Sequence, residues 1–276
     1  MTNNCHKYNS TNSLKKAFSL IELSIVLIVL AILATAVIKS NFLVSLARLG
    51  SAKSLTNKAI ENNSQSLVAW YETSFDIALV KGENNENFSI TKWHNINSQN
   101  RLSGSNDLTS VNVKYKKEGI NNLPSLQLQG NSKLFIDNLK QGKLIQATIF
   151  IVFSPNFSNS SQMTIFDSAN PANQITFPTS LSPLNKDSGD HLKPYIVAFY
   201  LNGGNSKFFV NNSQSPNNFN AGTNLIRGAV IGNNSNTDNG FHGLISEVII
   251  FDSPLKLEAR QNIFNYLAKK YNITIT

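Results

Sequence analysis

Residues Gly243 to Ile273 read GLISEVIIFDSPLKLEARQNIFNYLAKKYNI. Ile245 to Phe251 is nearly continuous in apolar residues, the pattern of a central strand covered on both faces. Ser253-Pro254 ends that run. Beyond it Leu257, Ile263, Phe264, Leu267 and Ala268 form a helical stripe, and Lys269 and Lys270 fall in the last turn, where basic side chains complement the helix dipole. One buried strand and one closing helix are therefore expected at the C-terminal end.

Working towards the N-terminus, short runs rich in β-branched and aromatic residues alternate with Asn, Ser, Gly and Pro clusters. Strands are expected near Ser66–Tyr71, Val111–Tyr115, Ser125–Gln129, Leu144–Ser154, Gln162–Asp167, Gln174–Phe177, Tyr195–Asn202, Ser206–Val210, Leu225–Gly232 and Gly243–Phe251. Ala147 to Phe153 is a second unbroken apolar run. Many strands with turn-rich connections predict a mainly β fold, an antiparallel β-sandwich closed by the C-terminal helix.

The C-terminal block resembles the end of laminin G-like, concanavalin A-like lectin/glucanase jelly rolls of bacterial surface proteins. There a Gly-x-Ile-x-Glu strand (here Gly243, Ile245, Glu247) precedes a turn and an ExRxxxxxYLxxKY helix (here Glu258, Arg260, Tyr266, Leu267, Lys270, Tyr271). Leu67-Val68-Ala69-Trp70-Tyr71 is similar to the opening of such domains, Ile90-Thr91-Lys92-Trp93 to the segment before a position where Asp is usual and Asn95 stands here, and Pro124-Ser125-Leu126-Gln127-Leu128 to the next strand. The resemblance marks Trp93, Glu247 and Arg260 as structural positions. It spans roughly Ser66 to Ile273.

Composition agrees with a folded head. Of 276 residues, 41% are hydrophobic and only 14% charged, which excludes a long charged coiled coil, while 17 Phe and 7 Tyr supply a core and so exclude wholesale disorder. Cys5 is the sole cysteine, so neither an internal disulfide nor a cysteine-based zinc site is available.

The other informative stretch is Phe18 to Ile38, FSLIELSIVLIVLAILATAVI, whose one charge is Glu22. As a helix it would span about 31 Å, the thickness of a bilayer core. Lys7, Lys15 and Lys16 precede it without any acidic residue, which places residues 1–17 in the cytoplasm and the bulk of the chain across the membrane. A carboxylate within an apolar run costs about 2.5–3.5 kcal/mol to insert near a helix centre and is retained where it has a partner.

Lys15-Lys16-Ala17 followed by Phe18-Ser19-Leu20-Ile21-Glu22-Leu23 resembles the type IV prepilin leader. That family is cut by a prepilin peptidase before a Phe, methylated on the new N-terminus, and carries Glu at the fifth mature position, which is Glu22 counted from Phe18. Ala17 departs from the usual Gly. The resemblance assigns Lys15, Lys16, Ala17 and Phe18 to processing and Glu22 to assembly, because a Glu beside a fresh amine can pair with that of a neighbouring subunit. Cleavage there would remove Cys5 and three lysines. Two other readings are a Sec signal cut at Ala34-Thr35-Ala36 and an uncut signal anchor; the coincidence of basic pair, Phe, Glu and unbroken apolar run favours the prepilin leader.

The expected organisation is leader 1–17, transmembrane helix 18–38, helical stalk 39–65 and head 66–276. In the stalk, Phe42, Leu46, Leu49, Ala52, Leu55, Ala59 and Ile60 keep helical spacing, with Gly50 a point where a kink is expected.

Sites in the head are weakly marked. Glu247 and Asp252 have an odd spacing that puts them on opposite faces of a strand, so no glycosidase carboxylate pair is visible, and Arg260 is the expected partner of Glu247. His94, His191 and His242 form no metal or nucleophile pattern. Asn236, Asp238 and Asn239 make the best calcium or ligand loop, with 186–190 a weaker one; both also read as ordinary turns. Phe219, Phe241 and Tyr200 could face a sugar if exposed, but no spacing makes that specific and burial in the core explains most of them. Lys114-Tyr115-Lys116-Lys117 is the one basic patch in a chain of formal charge +8 and reads as a solvated strand end, so nucleic acid is not the expected partner.

What the two resemblances imply together is a minor pilin or pseudopilin of a type IV pilus or type II secretion system. It would be held in the bacterial inner membrane by one helix before assembly, surrounded by lipid, with an extracytoplasmic head for a surface glycan or protein. Its partners would be prepilin peptidase and other pilin subunits, no catalysis is expected, and no cofactor beyond calcium is considered. The alternatives are a membrane-anchored glycan-binding adhesin without a filament and a secreted carbohydrate-active enzyme.

Overall fold

The computed structural model describes residues 19–62, 66–97, 106–139, 142–156, 163–169, 176–178, 193–215, 221, 223, 225–234 and 240–276, with backbone alone at 36–39, 41, 62 and 176–178. The chain divides into two compact units at Leu46/Ala47. Helix α1 (Leu20–Asn62) includes Gly50.

In the first unit, the side chains from Leu20 to Leu33 are exposed, with Glu22 in the first turn accepting the Ser19 N–H at 2.9 Å. Among the described residues no helix is long and apolar enough to cross a membrane. The apolar stretch reaches beyond the described side chains at both ends, to Phe18 and through 36–38.

The second unit, Ala47–Thr276, is the sandwich with the end of α1 as part of its core: Ala52, Thr56 and Ala59 are buried, and Leu55 and Ile60 pack beside them. One sheet contains β1 (Leu67–Glu72), β4 (Lys114–Lys116), β5 (Ser125–Leu128), β7 (Ala147–Pro155), β10 (Tyr195–Leu201), β11 (Lys207–Val210), β12 (Ser213–Gln214) and β14 (Gly243–Phe251). Its order is β12-β11-β10-β7-β14-β5-β4, with β1 also on β14. The second sheet runs β2-β3-β6-β13-β8-β9, formed by Lys92–Trp93, Leu108–Val111, Lys133–Ile136, Ala229–Ile231, Thr164–Asp167 and Thr176–Pro178. Among the described residues the paired strands run antiparallel.

The two unbroken apolar runs, β7 and β14, are neighbours at the centre of the first sheet. β14 pairs with β7 along its length on one side, and on the other with β5 at Gly243–Ile245 and then with β1 from Glu247 to Phe251. A register shift between Ile245 and Glu247 lies where the partner changes. Such bulges turn side chains relative to the regular alternation.

Helix α2 (Leu257–Tyr271) covers this sheet, its Phe264 ring meeting Phe150 edge-on at 5.3 Å and Phe209 at 6.5 Å. The expected stripe is buried at Ile263, Phe264 and Leu267, whereas Leu257 is exposed.

Two sequence expectations are corrected. Val111–Tyr115 is not one strand: Asn112 adopts a left-handed conformation (φ 55°), which Asn tolerates better than most residues, and the chain passes there from β3 in one sheet to β4 in the other. The strands β2, β6 and β12 were not expected, being short or flanked by Lys and Ser that mask their alternation.

Phe264→Ala removes a wholly buried ring between the sheet and α2 and is expected to destabilise the head by about 3–5 kcal/mol, read as a shift in the denaturant midpoint with unchanged slope.

Candidate functional site

Two features of the head invite a functional reading, a buried charged cluster and an open polar cleft. The cluster begins with the register Glu72↔Glu247 across β1 and β14, which puts two carboxylates side by side on the sheet face under α2. Tyr266 and Lys270, one turn apart on α2, point at them, and Thr56 of α1 closes the group.

All these side chains are buried. The Lys270 ammonium donates to Glu72 Oε1 at 2.6 Å, Glu247 Oε2 at 2.8 Å and Thr56 Oγ1 at 2.9 Å. Glu247 also accepts from Trp70 Nε1 (2.6 Å), Tyr266 Oη (2.6 Å) and Tyr271 Oη (2.8 Å). Trp70 meets Tyr266 edge-on at 5.6 Å, completing an aromatic wall. Trp93 is buried and donates to the Glu72 carbonyl at 3.2 Å.

Burial is the largest influence on Glu247 and raises its pKa above the ordinary carboxylate value; the Lys270 charge opposes this and Glu72 reinforces it. Burial likewise holds the Tyr266 and Tyr271 phenols well above their usual value, with the Glu247 charge adding to it. A carboxylate pair thus exists that the sequence reading missed, because Glu72 closes a strand predicted to end at Tyr71. It is sealed and engaged by Lys270, with no open face for a substrate.

The partner of Glu247 is therefore Lys270, not Arg260. The Arg260 guanidinium stacks over the Phe209 ring at 4.1 Å, and burial lowers its pKa. The signal for Lys270 was present in the sequence: it follows Ile263, Tyr266 and Leu267 at helical spacing, on the face that meets the sheet. Asn95, in the position where the resemblance expects Asp, is buried and its Oδ1 accepts the backbone N–H groups of Trp70 (2.9 Å) and Asn97 (3.1 Å). It ties the loop after β2 to β1, a task that needs an acceptor but no charge.

The cleft, of about 540 Å³, opens at the other end of β5 and β14 and is lined by Glu118, Gln127, Gln129, Asn156, His242 and Leu244. Gln127 and Leu244 are register partners and share a face of the sheet. A Lys116–Glu86 ion pair at 2.9 Å forms part of the rim. The Lys117 N–H and the Lys116 ammonium, both hydrogen-bonded to Glu86, lower its pKa. Amide, imidazole and carboxylate groups around an apolar side chain suit a polar, hydroxyl-bearing ligand.

The other candidate positions are resolved as follows. Phe241 is 0% exposed, packed edge-on against Phe153 at 5.8 Å, and so is not a sugar platform. Tyr200 is half-buried. Lys15, Lys16, Ala17, Phe18, His191, Phe219, the loop Asn236, Asp238, Asn239 and residues 186–190 lie outside the described residues, as does any calcium bound there. His94 Nδ1 is 2.7 Å from Asp107 Oδ2. Among the described residues there is no cluster of His, Cys, Asp and Glu able to hold a metal.

Removing one partner of a buried ion cluster leaves the others uncompensated, so Lys270→Met is expected to cost about 3–5 kcal/mol in chemical denaturation. The raised Tyr266 and Tyr271 values give an alkaline prediction: the unfolded phenols ionise near pH 10 while the folded ones stay protonated. Stability is therefore intact below about pH 10 and lost as pH climbs above it. Absorbance at the phenolate band should show these two tyrosines ionising together with unfolding, and Tyr271→Phe should flatten the loss.

Residues 12–38 match the family described as "Prokaryotic N-terminal methylation motif". No protein of curated function matches the chain. Among solved structures the chain is similar to the binding domain of Paraclostridial Mosquitocidal Protein 1, at 12% identity and a TM-score of 0.50 over 73% of this chain and 52% of that one. It is also similar to domain 4 of AbnA, a GH43 extracellular arabinanase from Geobacillus stearothermophilus (16% identity, TM-score 0.47, 73% of this chain and 98% of that one). A third is Trypanosoma rangeli sialidase (12% identity, TM-score 0.47, 72% of this chain and 32% of that one). The chain thus spans about half of the toxin domain and a third of the sialidase, and these likenesses concern the fold alone. The chain carries a prokaryotic N-terminal methylation motif ahead of a jelly-roll β-sandwich.

Proposed function

We propose that this chain is a minor pilin or pseudopilin-like subunit of a type IV pilus or type II secretion system, whose head is displayed outside the cytoplasm to hold a ligand. The observation that carries this reading is the methylation motif at residues 12–38. Prepilin peptidase would cut after Ala17, guided by Lys15 and Lys16, and Phe18 would become the methylated first residue. Residues 18–38 would lie in the inner membrane before assembly, 39–65 would form the stalk and 66–276 the head. Glu22 would pair with the terminal amine of a neighbouring subunit, neutralising both charges in an apolar filament core.

A head of about 210 residues on one helix favours a low-copy or terminal subunit, since each repeated subunit must fit beside its neighbours. The ligand site is the cleft around Gln127, Gln129 and His242, and its amide lining supports a glycan or polar protein surface as occupant. That same cleft supports the second reading, a membrane-anchored glycan-binding adhesin without a filament.

N-terminal sequencing and intact mass of protein from native membranes, with and without prepilin peptidase, separate the two. A chain starting at methylated Phe18 that is lost with the peptidase supports the subunit reading; a start at Met1 or Val37 overturns it. Gln127→Ala with Gln129→Ala is expected to abolish retention on a glycan array while leaving the unfolding free energy within about 0.5 kcal/mol of the parent. Unchanged retention would remove the cleft from the reading.

A further inference from the structure

The three side chains of the buried cluster that carry charge at neutral pH do not balance. One ammonium and two carboxylates leave a negative charge in a site walled by Trp70, Tyr266 and Tyr271, and such a charge is costly enough that a group takes up a proton instead. Glu247 is the group that burial drives towards holding it. Transfer of one proton from the Lys270 ammonium to the Glu72 carboxylate within this cluster leaves its net charge unchanged and gives an isomer in which the amine and both carboxyls are uncharged.

In that isomer a nucleophile, an acyl group and an acid–base lie within hydrogen-bond reach: Lys270 Nζ is 2.6 Å from Glu72 Oε1 and 2.8 Å from Glu247 Oε2. The amine is an effective nucleophile only when neutral, and desolvation is a recognised way to keep it so. Glu72 Oε1 is held by Lys270 and by the Ser74 N–H at 2.9 Å, whereas Glu72 Oε2 is buried without a partner. The held oxygen is placed to remain as the carbonyl, and the unheld one to leave.

We propose that Lys270 and Glu72 condense after folding into an intramolecular amide, with Glu247 relaying the proton. The Nζ lone pair attacks Glu72 Cδ and the C–N bond forms. Glu247 Oε2, 2.8 Å from Nζ, takes a proton from the nitrogen, and the proton Glu247 already held passes to the Glu72 hydroxyl once attack has turned that oxygen from its unpartnered position, so that the C–O bond breaks, one water leaves and Glu247 ends as it began. No oxidant, reductant or other reactant takes part. The product removes two buried charges and joins β1, the first strand of the head, to α2, its last element. A chain whose sole cysteine is Cys5 has no internal disulfide to make such a link.

Intact mass of the purified full chain tests this. The expected result is a mass one water below that required by its own N-terminus and sequence, with tandem mass spectrometry of a digest showing one branched peptide that joins Glu72 to Lys270. In Glu247→Gln, shown to be folded by its circular dichroism, the full mass and two linear peptides are expected. A parent chain of full mass, or a water loss mapped to other residues, overturns the proposal. A branched peptide formed to the same extent in Glu247→Gln overturns the proton relay.

Discussion

The head is organised around a lysine that has no access to water. Lys270 arrives on the last helix, Glu72 and Glu247 on cross-strand partners of the central sheet, and Thr56 on the end of α1. Taking these charges out of water is expensive, and the hydrogen bonds they make to one another and to their neighbours offset it, with Glu72 Oε2 left without a partner. The requirement fixes the rest of the assembly: β1 must sit on β14 in one register, α2 must lie at one rotation about its axis, and α1 must present Thr56 at one position. Apolar packing alone would tolerate several of these arrangements with little change in area, whereas an ion cluster of this kind is satisfied in one.

The aromatic residues make that satisfaction affordable in space. Trp70, Tyr266 and Tyr271 supply donors to Glu247 from rings whose remaining surface is apolar, so the cluster is hydrogen-bonded without admitting solvent. The bulge in β14 beside Ser246 lies where its partner changes from β5 to β1. Below it the sheet face carries the sealed cluster; above it the same strand contributes Leu244 to the open cleft. One strand therefore serves two purposes, cohesion under the closing helix and a polar surface beyond its reach.

For function, this arrangement separates the parts. The proposed processing and assembly residues belong to the N-terminal segment, and the proposed ligand cleft is built from β5, β14 and the loops at their ends. A variant in one is free to leave the other unchanged. The buried acid pair belongs to neither.

Much of this was determined by the sequence alone. The runs Ala147–Phe153 and Ile245–Phe251 declared two buried strands, the stripe Ile263, Phe264, Leu267 declared the closing helix, and Lys15 to Glu22 declared the N-terminal motif, because apolar periodicity and a charge inside an apolar run are local properties of the chain. Tertiary structure alone decided the partners. Glu247 was visible as a structural position, but the choice of Lys270 over Arg260 depends on the rotation of α2 against the sheet, and Glu72 joins only through its register with β14, 175 positions away. Local sequence left Phe241 between a core position and a sugar-facing one, and packing against Phe153 decided for the core, while Asn112 split one apparent strand between two sheets. Burial, register and the sharing of one lysine by two carboxylates are set by contacts between distant segments, and local spacing carries no record of them.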